Sequence, residues 1–252
     1  MTAMFSKSFD PPVAAGEAVE ATKQALGERL LGAVLYGSAA SGDFHPGHSD
    51  VNVAFTLTTL GAPELEALRP LHDSWSKRRI TRPLLLSKGS LDRSLDVFPL
   101  EYLLIRECHE TLFGEDPFRG ISIDTGELRD QVERTLRAQE MGLAWTYLAL
   151  ARTPSGASHW AARSGSAIAA SASGLLHLAG EPVPRTRGEV AVKCASRFGV
   201  DAESLRLLVA CRPGERERVE AQKLLTSAQS ILSRLIEVVE GLDRRSSTVS
   251  GG

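Results

Sequence analysis

The sequence predicts an α+β protein in which a small mixed sheet occupies the first half of the chain and helices fill the second half. Short apolar runs bounded by Gly, Ser and Pro, the pattern of buried strands, lie before residue 120. From about Asp124 onward, helical periodicity continues without strand patterns. We therefore predict two domains, a mixed domain over residues 1–122 and an all-helical bundle over residues 123–252.

The composition is that of an ordinary globular protein. Hydrophobic residues make up 42% and charged residues 24%, which argues against wholesale disorder. The formal net charge of -2 gives no support to non-specific binding of long nucleic acid. We expect a cytoplasmic protein without a membrane segment, because no signal-peptide core or membrane-length apolar run is present and three cysteines without metal-type spacing suit a reducing compartment. The sequence leaves a homo-oligomer open.

Periodicity and turn residues define the elements of the first half. Pro11-Pro12 suits a helix start, and Pro70 interrupts a later helical stripe, so that stripe should kink or form two short helices. In chain order the predicted elements are a helix over residues 12–31, strands over 32–36 and 51–55, a helix over 63–77, and strands over 83–87 and 100–105.

The second half is predicted to be helical throughout. Thr186 and Glu189 fit a capping box, Gly199 suits the end of that helix, and Asp201 can cap the next. The predicted helices cover residues 127–151, 158–179, 187–199, 202–209 and 215–242.

The bend between the first two strands carries the residues of greatest chemical interest. The apolar run ends at Gly37-Ser38, and a loop rich in Gly, Ser and Pro follows. Asp50 and Asn52 then alternate with Val51 and further apolar residues. Because side chains two residues apart on a strand point to the same face, Asp50 and Asn52 should share a face near the bend.

This arrangement resembles the nucleotidyltransferase superfamily, which includes polymerase-β-like enzymes and aminoglycoside nucleotidyltransferases. The family pattern is an apolar strand, Gly-Ser, a loop, and then Asp-apolar-Asp/Glu-apolar. The matching residues are Leu35-Tyr36-Gly37-Ser38 and Asp50-Val51-Asn52-Val53, with Asn52 where the second metal-binding carboxylate is expected. The motifs cover the first half alone, and the helical half is matched by architecture.

The resemblance implies Mg²⁺-dependent transfer of a nucleoside monophosphate from a nucleoside triphosphate, ATP being the first candidate, to a hydroxyl of an unidentified small-molecule or macromolecular acceptor. It places Gly37, Ser38 and Ser49 at the nucleotide, and Asp50, Asn52 and Glu101 at the catalytic centre, with Asp50 and Glu101 as metal ligands. Glu101, beside a predicted strand, could also act as the base, and Asp96 is the alternative third acidic residue.

Asn52 favours a second hypothesis. An amide in place of a carboxylate removes one negative charge beside a dication, and each pair of unit charges a few ångströms apart is worth roughly 4 kcal/mol at an effective dielectric near 20 before desolvation offsets it. The chain could therefore be a catalytically impaired nucleotide-binding or regulatory protein. A third hypothesis is a helical scaffold with a vestigial first domain.

Two further clusters admit more than one interpretation. His45 and His48, near Asp50, could in principle bind zinc, but their flexible Pro-Gly loop favours contact with nucleotide or solvent. Lys77-Arg78-Arg79 could contact a triphosphate or RNA, or form a solvated basic turn after an amphipathic helix.

Overall fold

The computed structural model describes residues 9–149, 155–210 and 221–248. The chain divides into two compact units, one of residues 1–94 with 108–121 and the other of residues 95–107 with 122–252. The first unit carries a small mixed sheet, and every element among the described residues of the second unit is a helix. The predicted α+β class is therefore confirmed, while the predicted domain boundary at residue 122 stays a prediction.

The first unit alternates helices and strands. Pro70 divides the predicted 63–77 helix into two helices joined by a short 3₁₀ turn, as expected, and the first helix ends five residues earlier than predicted, at Leu26. The elements are α1 (Pro11–Leu26), β1 (Leu30–Tyr36), α2 (Ser38–Ser41), β2 (Asn52–Leu57), α3 (Ala62–Leu68), α4 (His72–Lys77), β3 (Leu84–Ser87) and, after a helix of the second unit, β4 (His109–Gly114).

The sheet has the strand order β3-β2-β1-β4. β1 pairs antiparallel with β2 and β4, and β2 pairs parallel with β3. Val51, Val53, Phe55 and Leu57 belong to a core that also contains buried residues of α1. Because side chains alternate along a strand, Asn52 faces away from this core.

The fourth predicted strand is wrong. Residues 99–107 form a helix of the second unit, α5 (Pro99–Glu107), whose buried residues include Leu100, Leu103 and Tyr102 at helical spacing. A short apolar run is compatible with either element, and here the neighbouring helices decide the outcome. The fourth strand is instead β4, which the sequence analysis missed because it is an edge strand with polar residues among its apolar ones.

The remaining helices of the second unit are α6 (Thr125–Ala149), α7 (Gly156–Leu178), α8 (Arg187–Phe198), α9 (Ala202–Ala210) and α10 (Ala221–Thr248). The predicted capping box is confirmed: the Glu189 amide donates to Thr186 Oγ1 at 3.3 Å, and the Thr186 amide donates to Glu189 Oε2 at 3.1 Å. Asp201 caps α9 through the amide of Ser204 at 2.7 Å. The predicted start of the last helix, at residue 215, lies outside the described residues.

Two of the three cysteines, Cys108 and Cys194, are buried and in the reduced form, and Cys211 lies outside the described residues. Burial raises the pKa of the Cys194 thiol to about 12, so it stays protonated and unreactive at neutral pH. Across the described helices, none combines the length and apolarity needed to cross a bilayer.

Candidate functional site

The bend after β1 depends on Gly37. This residue has φ +70° and ψ −148°, a conformation at the edge of a region that is essentially restricted to glycine. Its carbonyl accepts hydrogen bonds from the amides of Ala40 and Ser41, both at 3.0 Å, and so closes the turn into α2. The bend therefore requires the residue type that the sequence motif places there.

Asn52 lies directly against this bend. It is opposite Tyr36 in the β1–β2 pairing, and a Cβ atom on Gly37 would lie 2.7 Å from Asn52 Nδ2. The Asn52 side chain is half-buried, and neither it nor the Ser38 hydroxyl has a hydrogen-bond partner among the described residues. Within the described part of the chain, both side chains thus remain available to a ligand.

Asp50 precedes β2 and its carboxylate is exposed. Asp50 Oδ2 accepts a hydrogen bond from Thr81 Oγ1 at 3.0 Å, and the next residue, Val51, donates its amide to the carbonyl of Arg79 at 2.9 Å. The segment before β3 is therefore hydrogen-bonded both to the side chain of Asp50 and to the backbone amide of the next residue. The sequence analysis missed Thr81, since nothing in the local pattern marks it.

Ser49 closes the loop between α2 and β2. Its Oγ accepts a hydrogen bond from the amide of His45 at 3.1 Å, and its own amide donates to the His45 carbonyl at 3.0 Å. His45 and His48 are both exposed. Ser49 thus has a structural task in this loop, and its predicted contact with nucleotide stays a prediction.

Glu101 lies in the second unit, on helix α5 and not at the start of a strand. Its exposed carboxylate accepts a hydrogen bond from Gln131 Nε2 at 2.6 Å. The alternative residue, Asp96, is exposed in the turn before α5. The reason for preferring Glu101, a neighbouring strand, is therefore wrong, although its chemical role stays a prediction.

The donor atoms around Asp50 suit one kind of metal site. Within the described residues, no three His, Cys, Asp or Glu side chains come together in a group able to hold a metal ion. Mg²⁺ usually binds through one or two carboxylates together with substrate phosphates and water, not in an all-protein cage. Asp50 and Asn52 supply one carboxylate and one amide oxygen, which are donor types that Mg²⁺ accepts.

A histidine–aspartate pair at the same end of the sheet had escaped the sequence analysis. His109 on β4 is opposite Tyr36, which in turn is opposite Asn52, so the three residues form a row across one face of the sheet. His109 Nε2 lies 2.9 Å from Asp116 Oδ2.

The environment of this pair keeps Asp116 ionised. Its partial burial alone would raise the pKa of Asp116, but hydrogen bonds from His109 and the Phe118 amide outweigh it and hold the pKa below its usual value. Burial also raises the pKa of the neighbouring Tyr36, which therefore stays neutral at physiological pH. Seven residues separate His109 from Asp116 along the chain, and no motif marks the pair.

Gly37→Ala should lower the free energy of unfolding by about 1–3 kcal/mol, the usual cost of a strained backbone conformation. It should also displace Asn52, because the added Cβ would lie 2.7 Å from its Nδ2. Gly42→Ala is the matched control: Gly42 also has a positive φ, but its Cβ would meet open space. Thermal unfolding and MgATP titration of both variants check this. Equal loss of MgATP affinity in both would contradict a specific role for the Gly37–Asn52 contact.

No family model matches the chain, and no curated protein sequence is significantly similar to it. Among solved structures, the chain is similar to the spectinomycin adenyltransferase AAD(9) from Enterococcus faecialis, which was crystallised with ATP and spectinomycin. The TM-score is 0.52 and the sequence identity 11%, over 87% of this chain and 98% of that one. At this identity the likeness concerns the fold, and it confirms the fold that the Gly37-Ser38 and Asp50 motif implied.

Proposed function

We propose that the chain is a nucleotidyltransferase that transfers a nucleoside monophosphate, from ATP in the first instance, to a hydroxyl of a small molecule. The observation that carries this proposal is the position of Asn52 against the Gly37 bend, at the start of the strand that Asp50 precedes. The adenyltransferase with the same fold supports the choice, because it was solved with ATP and a small acceptor.

The bend would receive the phosphates. Gly37 has no side chain to block a close approach, and the hydroxyl of Ser38 can donate a hydrogen bond to a phosphate oxygen. Asp50 and Asn52 would hold Mg²⁺, which supplies charge stabilisation at the phosphates when it is bound with the nucleotide. Thr81 keeps the Asp50 carboxylate oriented through their 3.0 Å hydrogen bond.

The reaction breaks one bond and forms another at the α-phosphorus. The acceptor oxygen forms the new P–O bond, pyrophosphate leaves with the electrons of the broken bond, and the acceptor proton passes to a base. Glu101 is the proposed base, because it is an exposed carboxylate whose described contact, with Gln131, leaves one oxygen for a proton. The acceptor class, the cytoplasmic location and a possible homo-oligomer belong to the same proposal.

A catalytically impaired nucleotide-binding or regulatory protein is the second candidate. Asn52 favours it, because an amide holds a dication less strongly than a carboxylate does.

A pyrophosphate-release assay separates the two candidates. The chain is incubated with ATP and Mg²⁺, with and without hydroxyl-rich acceptors such as spectinomycin, and products are identified by mass spectrometry. The proposed enzyme should release pyrophosphate and yield an adenylylated acceptor, and a chelator should stop the reaction. Magnesium-dependent ATP binding without pyrophosphate release from any acceptor would favour the second candidate.

A further inference from the structure

Arg79 is the one described residue other than glycine with a positive φ, +60°. It follows helix α4 at the position where a helix usually ends in glycine. The Arg79 amide donates to the Ser76 carbonyl at 3.0 Å, and the Ile80 amide donates to the Trp75 carbonyl at 2.9 Å. These two hydrogen bonds define a Schellman motif, in which one residue adopts the left-handed backbone conformation. Glycine adopts this conformation readily, whereas arginine pays a steric cost for it.

A strained backbone at a particular side chain suggests that the side chain has a task. The Arg79 guanidinium is 5.2 Å from the centre of the Phe9 ring, and it makes no hydrogen bond or ion pair with any described residue. Its neighbour differs: Arg78 Nε donates to Glu17 at 2.8 Å and its Nη1 donates to the Ser74 carbonyl at 3.0 Å. Arg79 is thus a half-buried cation, supported by an aromatic ring, that lacks an anionic partner within the described part of the chain.

The position of Arg79 connects it with the candidate site. Its carbonyl accepts a hydrogen bond from the amide of Val51, the residue after Asp50, at 2.9 Å. Phe9, which contacts the guanidinium, also stacks on Phe44 with ring centres 5.7 Å apart. Phe44 belongs to the loop between α2 and β2, which joins the Gly37 bend to Asp50. The guanidinium therefore contacts an aromatic ring that itself packs against a residue of this loop.

We propose that Arg79 binds the triphosphate tail of the nucleotide, with its guanidinium donating to phosphate oxygens while Phe9 supports its other side. This proposal rests on the proposed function and adds a specific anion-binding residue to it. A guanidinium presents several N–H donors in one plane and pairs well with phosphate. The backbone strain is then the cost of placing that group against Phe9, where glycine would satisfy the helix end but bind no anion.

Two structural explanations compete with this proposal. A cation at the end of α4 could stabilise the helix dipole, and the contact with Phe9 could be a packing interaction. Both predict that removal of the guanidinium destabilises the fold. The anion-binding proposal predicts the opposite for Arg79→Gly, because glycine adopts the left-handed conformation without strain.

The experiment uses the full chain and two variants, Arg79→Gly and Arg79→Asn, since Asn is also tolerated in the left-handed conformation. Arg69→Gln, which removes an exposed guanidinium paired with Glu66, is the control. Calorimetry measures the affinity for MgATP and for magnesium with inorganic triphosphate, and thermal unfolding gives Tm. Both Arg79 variants should bind the two ligands about tenfold to a hundredfold more weakly, with Tm of Arg79→Gly unchanged or raised. Arg69→Gln should bind as the wild type does.

The outcomes separate the two proposals. If the wild type binds MgATP and Arg79→Gly binds it equally well, the Arg79 proposal is overturned and the proposed function stands. If Arg79→Gly loses several degrees of Tm, the guanidinium is a structural element and the proposal is overturned too. If the wild type binds no MgATP, the proposed function fails, and the Arg79 proposal fails with it.

Discussion

Asp50→Asn is expected to lower the rate of nucleotidyl transfer by about a hundredfold to a thousandfold. A pair of unit charges about 4 Å apart is worth roughly 4 kcal/mol at an effective dielectric near 20, so a carboxylate facing a dication gains roughly 8 kcal/mol, and desolvation offsets much of it. Each 1.36 kcal/mol corresponds to about tenfold in rate. The substitution keeps the shape of the side chain, and an amide oxygen can still accept the hydrogen bond from Thr81 Oγ1. The loss should therefore come from the missing charge.

Thr81→Val is the matched control for this prediction. It removes the 3.0 Å hydrogen bond to Asp50 but leaves the carboxylate charge in place. We expect a loss of less than about tenfold, since one hydrogen bond of this kind contributes about 1 kcal/mol. The measurement is kcat/KM for pyrophosphate release, with Tm as a check on folding. Full activity of Asp50→Asn would remove Asp50 from the mechanism.

Asn52→Asp should strengthen magnesium-dependent ATP binding, by about tenfold or more, because it restores a carboxylate at the position where the family pattern has one. The two side chains have nearly the same shape, so the contact with Gly37 should survive. Coulomb attraction of one unit charge to the dication, roughly 8 kcal/mol at about 4 Å and an effective dielectric near 20, sets the upper bound. Titration of the protein with Mg²⁺ at fixed ATP measures the change.

This variant also distinguishes the two candidate functions. If turnover appears in Asn52→Asp and is absent from the wild type, the chain is the impaired nucleotide-binding protein. If the wild type already turns over and Asn52→Asp changes the rate by less than tenfold, the wild-type amide is sufficient for catalysis. Weaker binding in Asn52→Asp would contradict a metal at this position, because added negative charge can only attract a dication.

Local sequence patterns were enough to predict the elements around the bend. The run ending at Tyr36, the Gly37-Ser38 break and the alternation after Asp50 each lie within a few residues, and the structure shows the strand, bend and strand that they indicated. The motif at Thr186 and Glu189 succeeded for the same reason, because a capping box is defined by residues three apart.

Long-range contacts decided the features that the sequence did not reveal. The apolar residues of α5 suit a strand or a helix, and packing with the other helices of the second unit selects the helix. β4 acquires its identity from pairing with β1, and no alternation of its own marks it. The hydrogen bond from Thr81 to Asp50 joins residues 31 positions apart, and the left-handed conformation of Arg79 is visible only in the folded backbone.

A crystal structure with Mg²⁺ and a non-hydrolysable ATP analogue tests the central claim most directly. The account predicts phosphate oxygens at the Gly37-Ser38 bend, with the metal bound by Asp50 and the analogue's phosphates. A nucleotide bound away from that bend, or one whose metal does not contact Asp50, would contradict it.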